Sequence, residues 1–345
     1  MTTTLCSVSA TGLNLSNPAD KPYCGPLMAA GSGIKAIVAA MVANAGIAIA
    51  KFVAYVFTGS ASMLAESIHS VADTSNQGLL LLGGKRAQRV ADDRHQFGYG
   101  RERYFWAFVV AMVLFALGGL FSIYEGIEKI RHPHEVESLG WAFGVLVFAI
   151  IAEAVSFRTA IVESKKVKGD KSWLEFIRKS RSPELPVVLL EDAGAMIGLL
   201  LALVGVGLTA ITGDAIWDGI GTLSIGALLI VISIVLTIEM KSLLIGEAAT
   251  PEHIDALTAA ADSVGEVSRV IDLKTQHIGP EELLVAAKLE FDRSLTIPEL
   301  SDSIDLVETA LRAAVPLTMQ IYLEPDLYDP NHVDIPSRPE PGPRH

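Results

Sequence analysis

Val187-Val188-Leu189-Leu190-Glu191-Asp192-Ala193-Gly194-Ala195-Met196-Ile197-Gly198-Leu199-Leu200-Leu201 is an apolar run broken only by two adjacent carboxylates. Ionisable groups inside a spanning helix are costly and read first as functional. Two neighbouring acids in such a run repel one another and resist ionising together without a cation. The stretch therefore reads as a membrane helix that carries part of a cation site. The whole chain agrees: half of its 345 residues are hydrophobic, 19% are charged, and the mean hydropathy is +0.42. A soluble domain carries about 25% charged residues, so the deficit points to lipid. A net charge of −12 argues against a nucleic-acid binder, which presents a basic face. The two cysteines, Cys6 and Cys24, lie in a polar leader and suggest neither a disulfide framework nor a cysteine metal cluster.

Working outward, six apolar segments have the length of about 20 residues that a spanning helix needs. They run over 33–57, 62–83, 105–128, 139–161, 185–211 and 215–243. The connection from the second to the third carries Lys85, Arg86, Arg89, Arg94, Arg101 and Arg103. That from the fourth to the fifth carries Lys165, Lys166, Lys168, Lys171, Arg178, Lys179 and Arg181. The third-to-fourth connection has only Lys129 and Arg131. Lys and Arg favour cytoplasmic loops, which puts both basic connections, and with six spans both termini, inside. The expected setting is the cell (inner) membrane. Residues 1–31 lack the features of a signal or transit peptide and read as a disordered tail.

The composition changes after Glu247. A helix over Pro251–Val264, strands over Val267–His277 and Leu283–Phe291, a helix over Ile297–Ala314 and a strand over Leu317–Leu323 give the order αββαβ. The chain is thus expected to be a polytopic α-helical membrane protein, with six transmembrane helices over 32–247. A cytosolic α+β domain of ferredoxin-like type would occupy 248–327, and a proline-rich disordered tail 328–345. From Ala248 onward there are 18 acidic and 7 basic side chains, a net of −11, so almost all the excess negative charge belongs to this end. It serves solubility or draws cations toward the pore mouth.

The second span reads Glu66-Ser67-Ile68-His69-Ser70-Val71-Ala72-Asp73. His69 and Asp73 are four apart and share a helix face. The pair either chelates a small divalent cation or ties two helices together; Glu66 and Gln77 extend the polar stripe by a turn on each side. If the second and fifth spans pack together, Asp192 adds a third ligand, and Glu191 or a water completes four-coordination. A carboxylate-rich site with one nitrogen suits Zn²⁺, and also Mn²⁺, Fe²⁺ or Co²⁺. Asn44, Lys51, Glu125, Glu153 and Asp218 read as helix ties, snorkelling ends or cavity liners. Gly219, Gly221, Ser224 and Gly226 suggest close helix contact.

These residues resemble the cation diffusion facilitator family over Gly33 to Pro325. The resemblance is carried by Gly59-Ser60-Ala61-Ser62-Met63-Leu64-Ala65-Glu66 leading into His69 and Asp73, then by Asp92-Asp93-Arg94-His95-Gln96-Phe97-Gly98-Tyr99-Gly100-Arg101-Glu102. The Glu-Asp pair without a histidine-rich loop is similar to the mitochondrial-type zinc transporter branch and its bacterial relatives. The resemblance implies a homodimer that exchanges a divalent metal, usually zinc, for protons, with His69, Asp73 and Asp192 matching transport ligands. Val188 stands where the family has a histidine, and Glu191 is the candidate replacement. Asp92 and His95 match a loop site, but Tyr99 replaces a further histidine. Ile271, Ser301, Tyr322 and Glu324 replace the ligands of the cytosolic two-metal site, and His277 reads as a loop residue.

The expected function is export of a divalent cation from the cytosol in exchange for protons, by alternating access around a midplane site. Zn²⁺ is then a transported substrate and not a prosthetic group, with protons, lipid and a second copy of the chain as partners and no nucleic acid. Metal ligands must lose their protons, so the two cargoes compete for the same atoms. No P-loop is present, and no hydrolase motif accompanies the acids, so neither an ATP-driven pump nor an enzyme is expected. The alternatives are a Mn²⁺, Fe²⁺ or Co²⁺ transporter of the same family, a passive channel, or a metal-responsive regulator without flux.

Overall fold

The computed structural model describes residues 61–132 and 139–329 and scattered positions between 37 and 56; the side chains of 61–69 fall outside it. The readings of a tail at 1–31, most of the first span with Lys51 and the final segment from 330 therefore lie outside the described residues. The chain divides into two compact units, one holding the apolar helices up to Gly246 and the other beginning at Glu247.

The first unit is helical. The second apolar segment forms α1 (Ala61–Ala87) and the third forms α2 (Glu102–Arg131), whose middle, Leu114–Leu120, is wound as a π-helix. The fourth forms α3 (Leu139–Lys168), followed by the short α4 (Trp173–Lys179) in the basic connection. The fifth and sixth are α5 (Glu184–Thr212) and α6 (Ile216–Ile245). Among the described residues, four stretches are long and apolar enough to cross a membrane: Glu102–Arg131, Phe143–Lys168, Glu184–Thr212 and Ile216–Ile245. Their outward faces carry bare aliphatic side chains, such as Ile151, Val155, Val204, Ile211 and Ile238, an apolar surface that water would not tolerate on this scale. The protein is a multi-pass membrane protein.

Lipid removes the hydrophobic drive between helices, so packing depends on close approach of small residues. Glycines bring α2 and α6 close together in this way. A Cβ on Gly119 would lie 2.6 Å from Ile230, on Gly126 2.8 Å from Leu223, on Gly219 2.7 Å from Ile130, and on Gly226 2.8 Å from the backbone of Ile123. Gly119 faces Gly226 and Gly126 faces Gly219, two matched contacts seven residues apart on each helix. Gly221 turns instead toward α5, and Ser224 spends its hydroxyl on the carbonyl of Ile220. At the N-terminal ends of α2 and α5, Arg103 donates to Glu184. The two basic connections that precede these helices therefore meet at one end of the bundle. The turn between α5 and α6, closed by Gly213 at φ +72°, lies at the other.

The second unit follows ordinary water-soluble rules. It runs α7 (Pro251–Asp262), β1 (Val267–Gly279), β2 (Glu282–Phe291), α8 (Ile297–Ala314) and β3 (Thr318–Pro325). The sheet order is β1-β2-β3, with β2 and β3 parallel, Leu283 opposite Met319 and Val285 opposite Ile321. Strand β2 buries alternate residues, Leu283, Val285, Ala287, Leu289 and Phe291, on the face that Leu257, Val307 and Leu311 of the helices also fill. That period of two is what one covered sheet face demands. Pro251 follows the Thr250 cap of α7, and Thr296 and Glu299 form a capping box on α8, the start signals expected of solvent-exposed helices. His277 is not a loop residue. It sits in β1, 2% exposed, because its N–H donates to the carbonyl of Glu247 (2.8 Å) and carries the strand on to Gly279.

A candidate cation site inside the helical bundle

Successive residues on a helix point about 100° apart, so Glu191 and Asp192 reach different neighbours. Glu191 turns to α1, where Asn76 donates to Oε1 and Gln77 to Oε2, each at 2.9 Å. Asp192 turns to α3, where the hydroxyl of Ser156 donates to Oδ2 at 2.9 Å. Both acids are buried, as are Asn76, Gln77 and Ser156. Each carboxylate therefore rests on neutral donors, and no Lys or Arg among the described residues forms an ion pair with either. An arrangement of N–H and O–H donors suits the ionised carboxylate, yet burying two such charges without a counter-cation is expensive. A cation in the same space would offset that cost.

Asp73, three residues before Asn76, lies on the same stripe of α1. Asp73, Glu191 and Asp192 all line one cavity of about 150 Å³, together with Ser70, Asn44 and Glu153. His69 lies one turn before Asp73 on α1, with its side chain outside the described residues. Among the described residues no three His, Cys, Asp or Glu side chains stand close enough together to hold an ion. Val188 is fully buried in the apolar core, and as an aliphatic side chain it has no ligand atom. Two site residues were missed in the sequence reading, Asn76 and Ser156. The available signal was spacing: Asn76 is three residues beyond Asp73, and Ser156 three beyond Glu153, so each shares a face with an acid.

The loop that precedes α2 is knitted to itself. Tyr99 donates its hydroxyl to Asp92 Oδ2 (2.6 Å), and the N–H groups of Arg94 and His95 donate to Oδ1 at 3.0 and 2.8 Å. The Tyr99 hydroxyl first, then these backbone donors, hold the Asp92 carboxyl at about 2, below the usual range. The His95 ring stacks on Tyr99 at 4.4 Å, with Nδ1 3.4 Å from Asp92. Both oxygens of Asp92 are thus already engaged in folding the loop.

The membrane unit as a whole matches the cation efflux transmembrane domain over residues 37–245. The chain belongs to the cation efflux family. Among its relatives, a mouse protein named Proton-coupled zinc antiporter SLC30A9, mitochondrial, is 36% identical over 245 residues, covering 70% of this chain and 43% of the relative. Metal tolerance protein C4 of Arabidopsis thaliana is 27% identical over 265 residues, 76% of this chain and 58% of the relative. Magnetosome protein MamB of Magnetospirillum gryphiswaldense is 25% identical over 267 residues, 77% of this chain and 84% of the relative. The chain spans less than half the length of the mouse relative.

Proposed function

We propose that the protein moves a divalent transition metal, zinc first, out of the cytosol in exchange for protons. The observation that carries this reading is the shared cavity, which Asp73, Glu191 and Asp192 line from two helices beside neutral donors. The names of the mouse relative and of other family members support the same chemistry. His69, Asp73 and Asp192 supply the ligands. Each Glu191 oxygen accepts one amide N–H and keeps a lone pair, which lets Glu191 complete a four-coordinate site. Asn76, Gln77 and Ser156 fix the carboxylates, the role that outer hydrogen bonds play around metal ligands. Metal leaves when protons take its place on the same oxygens and on the imidazole. In this reading the protein is a carrier and not an enzyme.

The full architecture in this reading is six spans with both termini on the cytosolic side, since both basic connections meet at one end of the bundle and positive charge favours that side. The setting is the cell (inner) membrane; the mouse relative is named as mitochondrial. The α+β unit, of ferredoxin-like type and spanning 248–327, pairs two copies. Val188, in place of a ligating side chain, leaves an oxygen-rich set that also accommodates Mn²⁺, Fe²⁺ or Co²⁺. Uptake of each metal into proteoliposomes under an imposed pH gradient tests the reading. Saturable binding without flux would instead make the protein a metal-responsive regulator, and flux indifferent to the pH gradient would make it a channel.

A further inference from the structure

The same cavity holds a second polar layer. Glu125 and Lys129 of α2 and Asp218 and Thr222 of α6 line it together with Asp73, Glu191 and Asp192. Lys129 Nζ lies 2.9 Å from Asp218, 3.6 Å from Glu125 and 3.3 Å from the Thr222 hydroxyl. The two layers stand far apart. A Cβ on Gly205 of α5 would touch Asp218 at 3.5 Å, and Gly205 is thirteen residues beyond Asp192, about 20 Å along the helix. The α5 wall between them is Gly194, Ala195, Gly198, Leu199 and Ala202, whose side chains offer a passing cation no ligand. Farther along the cavity lie the carboxylates of Asp218 and Glu125, and Lys129 is already on them.

We propose that Lys129 is a tethered cation that closes this end of the transport cavity, the end away from the basic loops. It holds Asp218 and Glu125 until a metal ion or protons displace it. The inference rests on the transport reading above and assigns a positioning role to Lys129. A simple helix tie is the poorer account, because the glycine contacts already lock α2 to α6 beside it, Gly126 against Gly219. Lysine suits the task, being a compact charge on a long flexible stem that swings without moving the helix.

The test is proton leak into proteoliposomes in the absence of metal, read with a trapped pH-sensitive dye beside pH-driven zinc uptake by the same vesicles. Lys129→Gln is expected to raise the leak at least about fivefold over wild type, and Lys129→Arg to restore a tight vesicle. Asp218→Asn, which releases Lys129 from its main partner, is expected to leak as Lys129→Gln does and covers the case in which that variant does not fold. A leak equal to wild type in every folded variant overturns the latch. Failure of the wild type to take up any metal overturns the transport reading instead, so the two ideas fail separately.

Discussion

The two units of this chain treat a carboxylate in opposite ways. In the C-terminal unit acids face water and pair with basic neighbours: Glu324 with Lys288 at 3.5 Å, and Glu308 with Arg312 one helical turn away. Such exposed pairs contribute roughly 0–1 kcal/mol each. In the bundle, Glu191 and Asp192 are buried against amides and a hydroxyl, with no basic partner among the described residues. The unit that carries almost all of the net negative charge is thus not the one that buries its acids without a basic partner among the described residues.

The sharpest way to break that contrast is to neutralise one acid of each kind. Asp192→Asn is expected to lower zinc uptake by at least about 100-fold, more than loss of a supporting hydrogen bond does. Glu308→Gln is expected to leave it unchanged, and comparable losses from both would dissolve the distinction. A smaller effect follows from the neutral donors. Asn76→Leu leaves the cavity acids in place but unclamps Glu191, and is expected to weaken zinc affinity by about 10- to 100-fold, measured by isothermal titration in detergent. Packing comes next. Gly126→Leu forces a side chain into the α2–α6 contact and costs about 1–3 kcal/mol, as overpacking does. A thermal melt of the bundle reports it, and an unchanged melting point would mean that the glycine contact is slack.

The smallest effect belongs to the loop between α1 and α2. Asp92 is held at about 2, chiefly by the Tyr99 hydroxyl, so its folded value lies below the unfolded one. Its stabilisation is therefore complete above about pH 4 and is lost as the pH falls toward 2. Hydrogen exchange of the loop is expected to quicken only in that window. Tyr99→Phe is expected to raise the pH at which the quickening ends and to shrink its extent; a lower end and an extent that stay where they were would assign the hold to the backbone donors.

The same contrast explains what the sequence could disclose. Long apolar runs bounded by charged turns mark α2, α3, α5 and α6, because lipid imposes length and composition together. In the C-terminal unit, Thr296, Pro298 and Glu299 announce α8, and Leu283 to Phe291 alternate as a half-covered strand must. The acids of the site were conspicuous because an ionisable residue in lipid is rare. Their supports were not, since Asn76 and Ser156 are cheap enough to appear in any membrane helix. Nor was the π-wound stretch over Leu114–Leu120 visible, because no composition rule marks it. The burial of His277 at the end of β1, and the backbone hydrogen bond it makes to Glu247 thirty residues away, are features that local pattern does not encode.

The central claim is that Asp73 and Asp192, drawn from two helices to one cavity, hold the transported metal. Zinc uptake into proteoliposomes under an inward-directed metal gradient and an opposing pH gradient tests it most directly, with wild type compared against Asp73→Asn and Asp192→Asn at equal protein incorporation. The account predicts saturable uptake by the wild type that collapses when the pH gradient is dissipated, and near-background uptake by both variants. Uptake by either variant at the wild-type rate would contradict it.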